Sequence, residues 1–129
     1  MGKVNQVAII ASKGDMETAL KVLSLCLGAA SMDAEVHVFC TFGGLSLLQR
    51  QLSYDFPEML KPFEENLAKL PELEDLRQMA IESGVRFIGC QMTMDLLSIG
   101  PDQLIDDIEF AGAATFMEKA MSASTTITF

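Results

Sequence analysis

Val85-Arg86-Phe87-Ile88-Gly89-Cys90-Gln91-Met92-Thr93-Met94-Asp95-Leu96-Leu97 changes character halfway along, and that change decides the fold. Up to Cys90 the run is short and apolar, as a buried strand is. From Gln91 onward it reads as the start of a helix. A strand running straight into a helix is half of a βαβ unit, so the rest of the chain should supply parallel strands joined by helices.

Working outward, Val4–Ala11 is a continuous apolar run suited to a strand buried on both faces. Ser12-Lys13-Gly14-Asp15 is a polar turn, and Asp15 is the predicted N-cap of a helix through Ala30, with Ala19, Leu20, Leu23, Leu27 and Ala30 on its apolar face. Glu35–Cys40 is a second strand, followed by Thr41-Phe42-Gly43-Gly44 and a short helix over Leu45–Leu52. Leu73–Ser83 is helical, with Gly84 as its stop. Beyond Gly100-Pro101, Leu104–Phe110 is read as holding a fourth strand, Gly112–Ser122 a helix and Thr125–Phe129 a final strand. The expectation is one three-layer α/β domain over residues 1–129, flavodoxin-like, with a mostly parallel sheet of about five strands in the order 2-1-3-4-5.

Gln49–Glu72 departs from this rhythm. It holds Pro57, Pro62 and Pro71, three of the four prolines, and the sole tyrosine, Tyr54. Such long connections form lids, binding loops or oligomer contacts, or simply run over the surface.

Composition narrows the function. The net charge is −9, which disfavours nucleic acid and anionic membranes as partners. No apolar stretch is long enough to span a bilayer, and the N-terminus lacks a secretory signal, so a cytoplasmic protein is the simplest reading. Three cysteines, Cys26, Cys40 and Cys90, form no CxxC pair; this argues against a disulfide framework or zinc site and suits a reducing compartment. The one histidine, His37, sits mid-strand between Val36 and Val38, which leaves little for a multi-histidine metal site or a hydrolytic triad. Ser12-Lys13-Gly14-Asp15 is too poor in glycine for a dinucleotide or P-loop fingerprint.

With strand one between strands two and three, the carboxyl edge of the sheet would bring together Lys13, Cys40, Thr41, Cys90, Gln91 and Met92. Cys90 then has two readings, a reactive thiolate at a helix start or a small buried residue filling space. Lowering a thiol by two pKa units needs about 2.7 kcal/mol. A helix terminus supplies ~0.3–1 kcal/mol, up to ~2 when partly buried, so the dipole alone is marginal. Lys13 is the additional cation and could attract an anionic substrate; Asp95 would oppose it if it faced the sulfur. Cys40, two strands away at roughly 10 Å, is beyond the ~7 Å reach of a disulfide, and either lines the cleft or fills the core. Cys26 is expected to be packing, Met92 and Met94 apolar cover over the site or a subunit contact, and the Asp102, Asp106, Asp107 and Glu109 cluster a solvated face.

Phe42-Gly43-Gly44-Leu45, the run Cys90–Gly100 and Leu104-Ile105-Asp106-Asp107-Ile108-Glu109-Phe110-Ala111-Gly112-Ala113-Ala114-Thr115 together resemble the DsrE/DsrF-like family of small sulfur-handling proteins. The resemblance covers nearly the whole chain. It implies a flavodoxin-like fold, a cytoplasmic location and homo-oligomers, often trimers or hexamers. It implies that Cys90 takes sulfane sulfur as a persulfide or thiosulfonate adduct and passes it on, its partners being sulfur-donor and sulfur-acceptor proteins or small sulfur anions, with no metal or other cofactor. Relatives usually carry an aromatic where this chain has Cys40. Some have a second cysteine near the first, whereas Ala80 and Gly100 stand ten residues either side of Cys90. The competing reading is a non-catalytic oligomeric interaction domain with a vestigial thiol site, in which Gln49–Glu72 binds a protein partner.

Overall fold

Strict alternation along each strand sends side chains into two separate cores in the computed structural model, which describes residues 5–129. The strands are β1 (Gln6–Ala11), β2 (Glu35–Cys40), β3 (Arg86–Cys90), β4 (Glu109–Ala111) and β5 (Thr125–Thr128). All neighbours pair in parallel. The expected start of the first strand at Val4 lies outside the described residues. The helices are α1 (Met16–Ser31), α2 (Glu64–Leu67), α3 (Leu73–Glu82), α4 (Gln91–Leu97) and α5 (Ala113–Met121). None is long and apolar enough to cross a membrane among the described residues.

The sheet order is β4-β3-β2-β1-β5, not the expected 2-1-3-4-5. The first three crossovers each step one strand in the same direction, and only β4 to β5 runs back across the sheet. Parallel crossovers are right-handed, so steps in one direction place their helices on one face and the return step uses the other. Accordingly α1 and α3 pack together over one face, whose core holds Ile9, Val22, Leu23, Val36, Val38, Leu48 and Phe87. The other face carries a smaller cluster of Ala8, Phe39, Ile88, Cys90 and Phe116, and its helical cover comes from α5. Phe116 of α5 stacks on Phe39 with ring centroids 4.8 Å apart.

Local chemistry explains the elements. Asp15 caps α1 as expected: its carboxylate accepts from the Thr18 amide at 3.1 Å and from the Thr18 hydroxyl at 2.6 Å. Those bonds, led by the hydroxyl, hold its pKa below the usual carboxylate value. Gly84 follows α3 at φ 91°, a left-handed position that suits glycine. The segment expected as a helix over Leu45–Leu52 is a 3₁₀ helix over Phe42–Leu48. It starts where Gly44 lies against the Ala11 carbonyl, a spot where any Cβ would overlap that oxygen. The short fourth strand, Glu109–Ala111, lies at the end of the expected Leu104–Phe110 span and one residue beyond it; Leu104 makes an isolated antiparallel bridge with Gln49.

The Gln49–Glu72 excursion folds into a 3₁₀ helix (Glu58–Phe63) and the single turn of α2. Its root is pinned by Arg77 of α3, a buried guanidinium that donates to the carbonyls of Leu47 (2.8 Å), Gln49 (2.6 Å) and Arg50 (3.2 Å). These carbonyls end a 3₁₀ helix and have no continuing turn to accept from, so the fork of donors satisfies them.

His37 is buried under the α5 side of the sheet, with no partner for Nδ1. Burial pushes its pKa down, as do Lys119 on α5 and Arg86 on β3, against Glu35 on its own strand and Glu109 on β4. A histidine held neutral by the fold lets the unfolded chain take up protons first, so stability is lost as pH falls below about 6.5. The urea midpoint should therefore drop between pH 7 and pH 5.5 in the native protein and drop less in His37→Phe. A Gly44→Ala variant should lose about 3 kcal/mol of stability through overpacking against Ala11, measurable by denaturant titration.

Candidate functional site

Cys90 ends β3 and stands immediately before α4, as its sequence position predicts. Its side chain shares a face with Ile88 and joins the smaller core, so it lies beneath the same thin layer as Phe116. The residue is 2% exposed yet close to the carboxyl edge of the sheet.

Burial raises the Cys90 pKa, but the donors around the sulfur outweigh it and the net shift is downward. In order of effect these are the Thr41 hydroxyl, the Thr93 hydroxyl and the backbone amides of Thr93 and Met92. The leading influences that favour the thiolate are thus neutral donors, with α4 too short at seven residues for a large dipole.

The other cysteines behave oppositely. Burial raises Cys26 to about 12 and Cys40 further, with Cys26 adding to the rise at Cys40. Both belong to the larger core.

The strand order revises the neighbourhood expected for Cys90. Cys40 is on the adjacent strand, in register with Gly89, not two strands away. Cys90 is one residue further along, so its side chain points to the opposite face and the sheet itself separates the two thiols. Lys13 leaves β1, with β2 standing between β1 and β3, which puts it at least about two strand spacings, ~10 Å, from the sulfur. It is exposed, in a turn whose Gly14 backbone lies against Gly43. His37 pairs in register with Arg86, four residues before Cys90, or about 13 Å along the strand.

Thr41 leaves β2 directly beside the site, and its hydroxyl lies 3.3 Å from that of Thr93. Met92 contributes its amide to the sulfur while its side chain is 59% exposed. Gln91 is exposed, and its Nε2 donates to Asp95 Oδ1 at 2.9 Å, tying that carboxylate along the outer surface of α4. The closest set is thus Cys90, Thr41, Thr93 and the Met92 amide, with Gln91, Lys13 and Cys40 outside it.

Sequence position predicts the backbone amides of Gln91 through Thr93 near the sulfur, and those of Met92 and Thr93 act there, but it does not single out the Thr93 hydroxyl. Its signal was a polar residue between Met92 and Met94, three positions after the cysteine, on the first turn of a helix. It is fully buried, and its Oγ1 accepts from the Phe42 amide at 2.9 Å. Phe42 has φ 48°, an uncommon conformation for a bulky residue that costs about 1–3 kcal/mol and concentrates at functional sites.

A roomy cleft lies elsewhere. A pocket of about 480 Å³ opens between the excursion and the start of α1, lined by Tyr54, Phe56, Leu67, Leu70 and the carboxylates Glu64 and Glu72. Tyr54 packs against the larger core, on the face away from Cys90, and its hydroxyl meets Ser46 Oγ at 3.1 Å. Among the described residues, no three His, Cys, Asp or Glu side chains converge as a metal site requires.

A model of the DsrE/DsrF/DrsH-like family matches residues 3–66 and 57–128. The chain is 32% identical to the sulfur carrier protein DsrE2 of Allochromatium vinosum, over 89% of this chain and 92% of that one. It is 28% identical to the Bacillus subtilis protein YrkE, over 95% of both. Among solved structures, MTH1491 from Methanobacterium thermoautotrophicum aligns with TM-score 0.65 at 15% identity, over 95% of this chain and 98% of that one. The ychN protein from E. coli aligns with TM-score 0.65 at 14% identity, over 98% and 100%. These two likenesses show the three-layer α/β fold.

Iodoacetamide at pH 7.5 followed by peptide mass spectrometry should label Cys90 in the folded protein and Cys26 and Cys40 only after unfolding. Equal labelling of all three would contradict the burial and charge assignments.

Proposed function

The chain belongs to the DsrE/DsrF/DrsH-like family, and from that premise we propose that it works in sulfur relay, with Cys90 carrying the sulfur. The observation that carries this reading is the place of Cys90 at the end of β3 among neutral donors, the Thr41 and Thr93 hydroxyls and the amides of Met92 and Thr93, whose net effect favours an anion there.

The chemistry balances on this chain alone. The Cys90 thiolate attacks the outer sulfur of a donor persulfide, R–S–SH; a new S–S bond forms to Cys90 and the donor's own S–S bond breaks, releasing RS⁻. Nothing is oxidised or reduced overall, since the sulfane sulfur keeps its oxidation state. With tetrathionate the thiolate displaces thiosulfate and retains a thiosulfonate. The donors that favour the thiolate also suit the terminal anion of a bound persulfide. With Cys40 across the sheet, a single-thiol carrier follows, handing sulfur to an acceptor thiol by the reverse attack.

Assembly into homo-oligomers has its support in the exposed apolar side chains of Met92, Leu96 and Leu97 on α4 and Met117 and Met121 on α5. The second reading, a non-catalytic interaction domain, draws on the cleft beneath the excursion and on exposed Met59 and Phe63 beside it.

Treatment with tetrathionate or a small-molecule persulfide should add sulfur mass to the native protein and none to Cys90→Ser, read by intact mass spectrometry. An adduct that persists in Cys90→Ser, or no adduct on the native protein, would favour the interaction-domain reading.

A further inference from the structure

The excursion and the start of α1 face each other with apolar side chains that do not close the space between them. Leu52, Tyr54 and Phe56 line the cleft and alternate with Gln51, Ser53 and Asp55, which are exposed. Met16 and Leu20 are four residues apart and so share one face of α1. All five lining residues are only half-buried. The space they leave is about 480 Å³, within the ~300–1,000 Å³ of small-molecule sites. Protein interiors are otherwise close-packed, so an apolar gap of this size is a place for something the chain does not itself supply.

The walls of the cleft are held in place. The Tyr54 hydroxyl meets Ser46 Oγ at 3.1 Å, and the Leu52 amide donates to Glu74 Oε1 at 3.2 Å, in the first turn of α3. Arg77 ties the root of the same segment through the carbonyls of Leu47, Gln49 and Arg50. The far wall closes its own backbone bonds, the amides of Ala68 and Leu70 donating to the carbonyls of Glu64 and Leu67 at 3.0 Å each. The cleft is therefore built into the fold, and a ligand need not order it.

Charge is confined to the rim. Among the described residues that line the cleft, the charged ones are Glu64, Glu72 and Glu74, all acidic and all exposed. The excursion's cations stand apart from it: Lys61 pairs with Glu58 at 2.7 Å, Arg50 with Asp106 at 3.2 Å, and Lys69 is not a lining residue.

We propose that this cleft is a binding site for a small cationic amphiphile, a molecule with an apolar body for the interior between Leu20 and Tyr54 and an ammonium or amidinium head for the rim. Such a ligand buries its apolar surface and keeps its charge in water beside carboxylates, which matches the division of the lining. An anionic head would meet three carboxylates on a chain of net charge −9. Glu74 is already engaged by the Leu52 amide, so Glu64 and Glu72 are the partners left for the head. The site goes beyond the sulfur-relay reading and does not depend on it, since Tyr54 packs on the core of one face of the sheet and Cys90 on that of the other.

Fluorescence titration of the full chain with dansylcadaverine, an apolar fluorophore bearing an ammonium, tests the proposal against dansylglycine, the same fluorophore bearing a carboxylate. The amine should bind at least tenfold more tightly. Ala68→Trp, which fills the cleft from an exposed lining position, should weaken binding of the amine at least tenfold; if that variant fails to fold, Leu70→Lys, a cation at the cleft mouth, is read in its place with the same expectation. Glu64→Gln combined with Glu72→Gln should weaken binding about threefold, the scale of exposed ion pairs. Glu82→Gln combined with Glu118→Gln, equal in charge but outside the lining, should weaken it less. No saturable binding of the amine, equal binding of the carboxylate, equal weakening by the two glutamine pairs, or native affinity in the cleft variant would each overturn the proposal. So would a change of oligomeric state in Ala68→Trp, read by light scattering, alongside no binding of the amine to the native protein; the cleft would then belong to a second copy of the chain. Sulfur adducts on Cys90 should form in Ala68→Trp as in the native protein, so the failure of either reading is told apart from that of the other.

Discussion

Only one of the four connections between strands runs backwards across the sheet, and the handedness of parallel crossovers makes that single return decisive. Three forward steps stack α1 and α3 on one face and give it a deep core. The one return step leaves the opposite face to α5, a nine-residue helix anchored by Phe116 on Phe39. Cys90 points toward that thin face, and Cys26 and Cys40 toward the deep one. Three chemically identical side chains thus acquire opposite properties from the parity of their positions on neighbouring elements.

The same constraint shifts the basis of thiol activation. An anion near a chain of net charge −9 needs local stabilisation. Lys13 would be the natural candidate in a sheet where β1 adjoins β3. With β2 between them, the stabilisation falls to uncharged donors on the two strands that do adjoin, the exits of β2 and β3. Such donors act over a short range and at fixed angles, so their positions matter more than their number. The strained Phe42 backbone and the bond from its amide to Thr93 fix those positions.

Much of the fold was legible because its signals are local. The Asp15 cap, the helix it starts, the stop at Gly84 and the strand closing at Cys90 depend on residues within a few positions of each other, and each stands where sequence reasoning placed it. The 3₁₀ helix after Thr41 was misread because its geometry comes from the contact of Gly44 with Ala11, thirty-three positions away. The Thr93 hydroxyl is hard to read for a related reason: between two methionines on a helix it is one polar residue on an apolar surface. Its meaning depends on Phe42, which no periodicity connects to it.

By itself the sequence determined the alternation of strands and helices, the place of Cys90 at a strand-to-helix junction and the family to which that junction belongs, since these reside in short-range pattern and composition. Tertiary structure alone decided which strands are neighbours, which face each cysteine meets and which hydroxyls reach the sulfur. Strand order is settled by which helices can pack side by side over a twisted parallel sheet, a long-range competition that leaves no mark in any one stretch of chain.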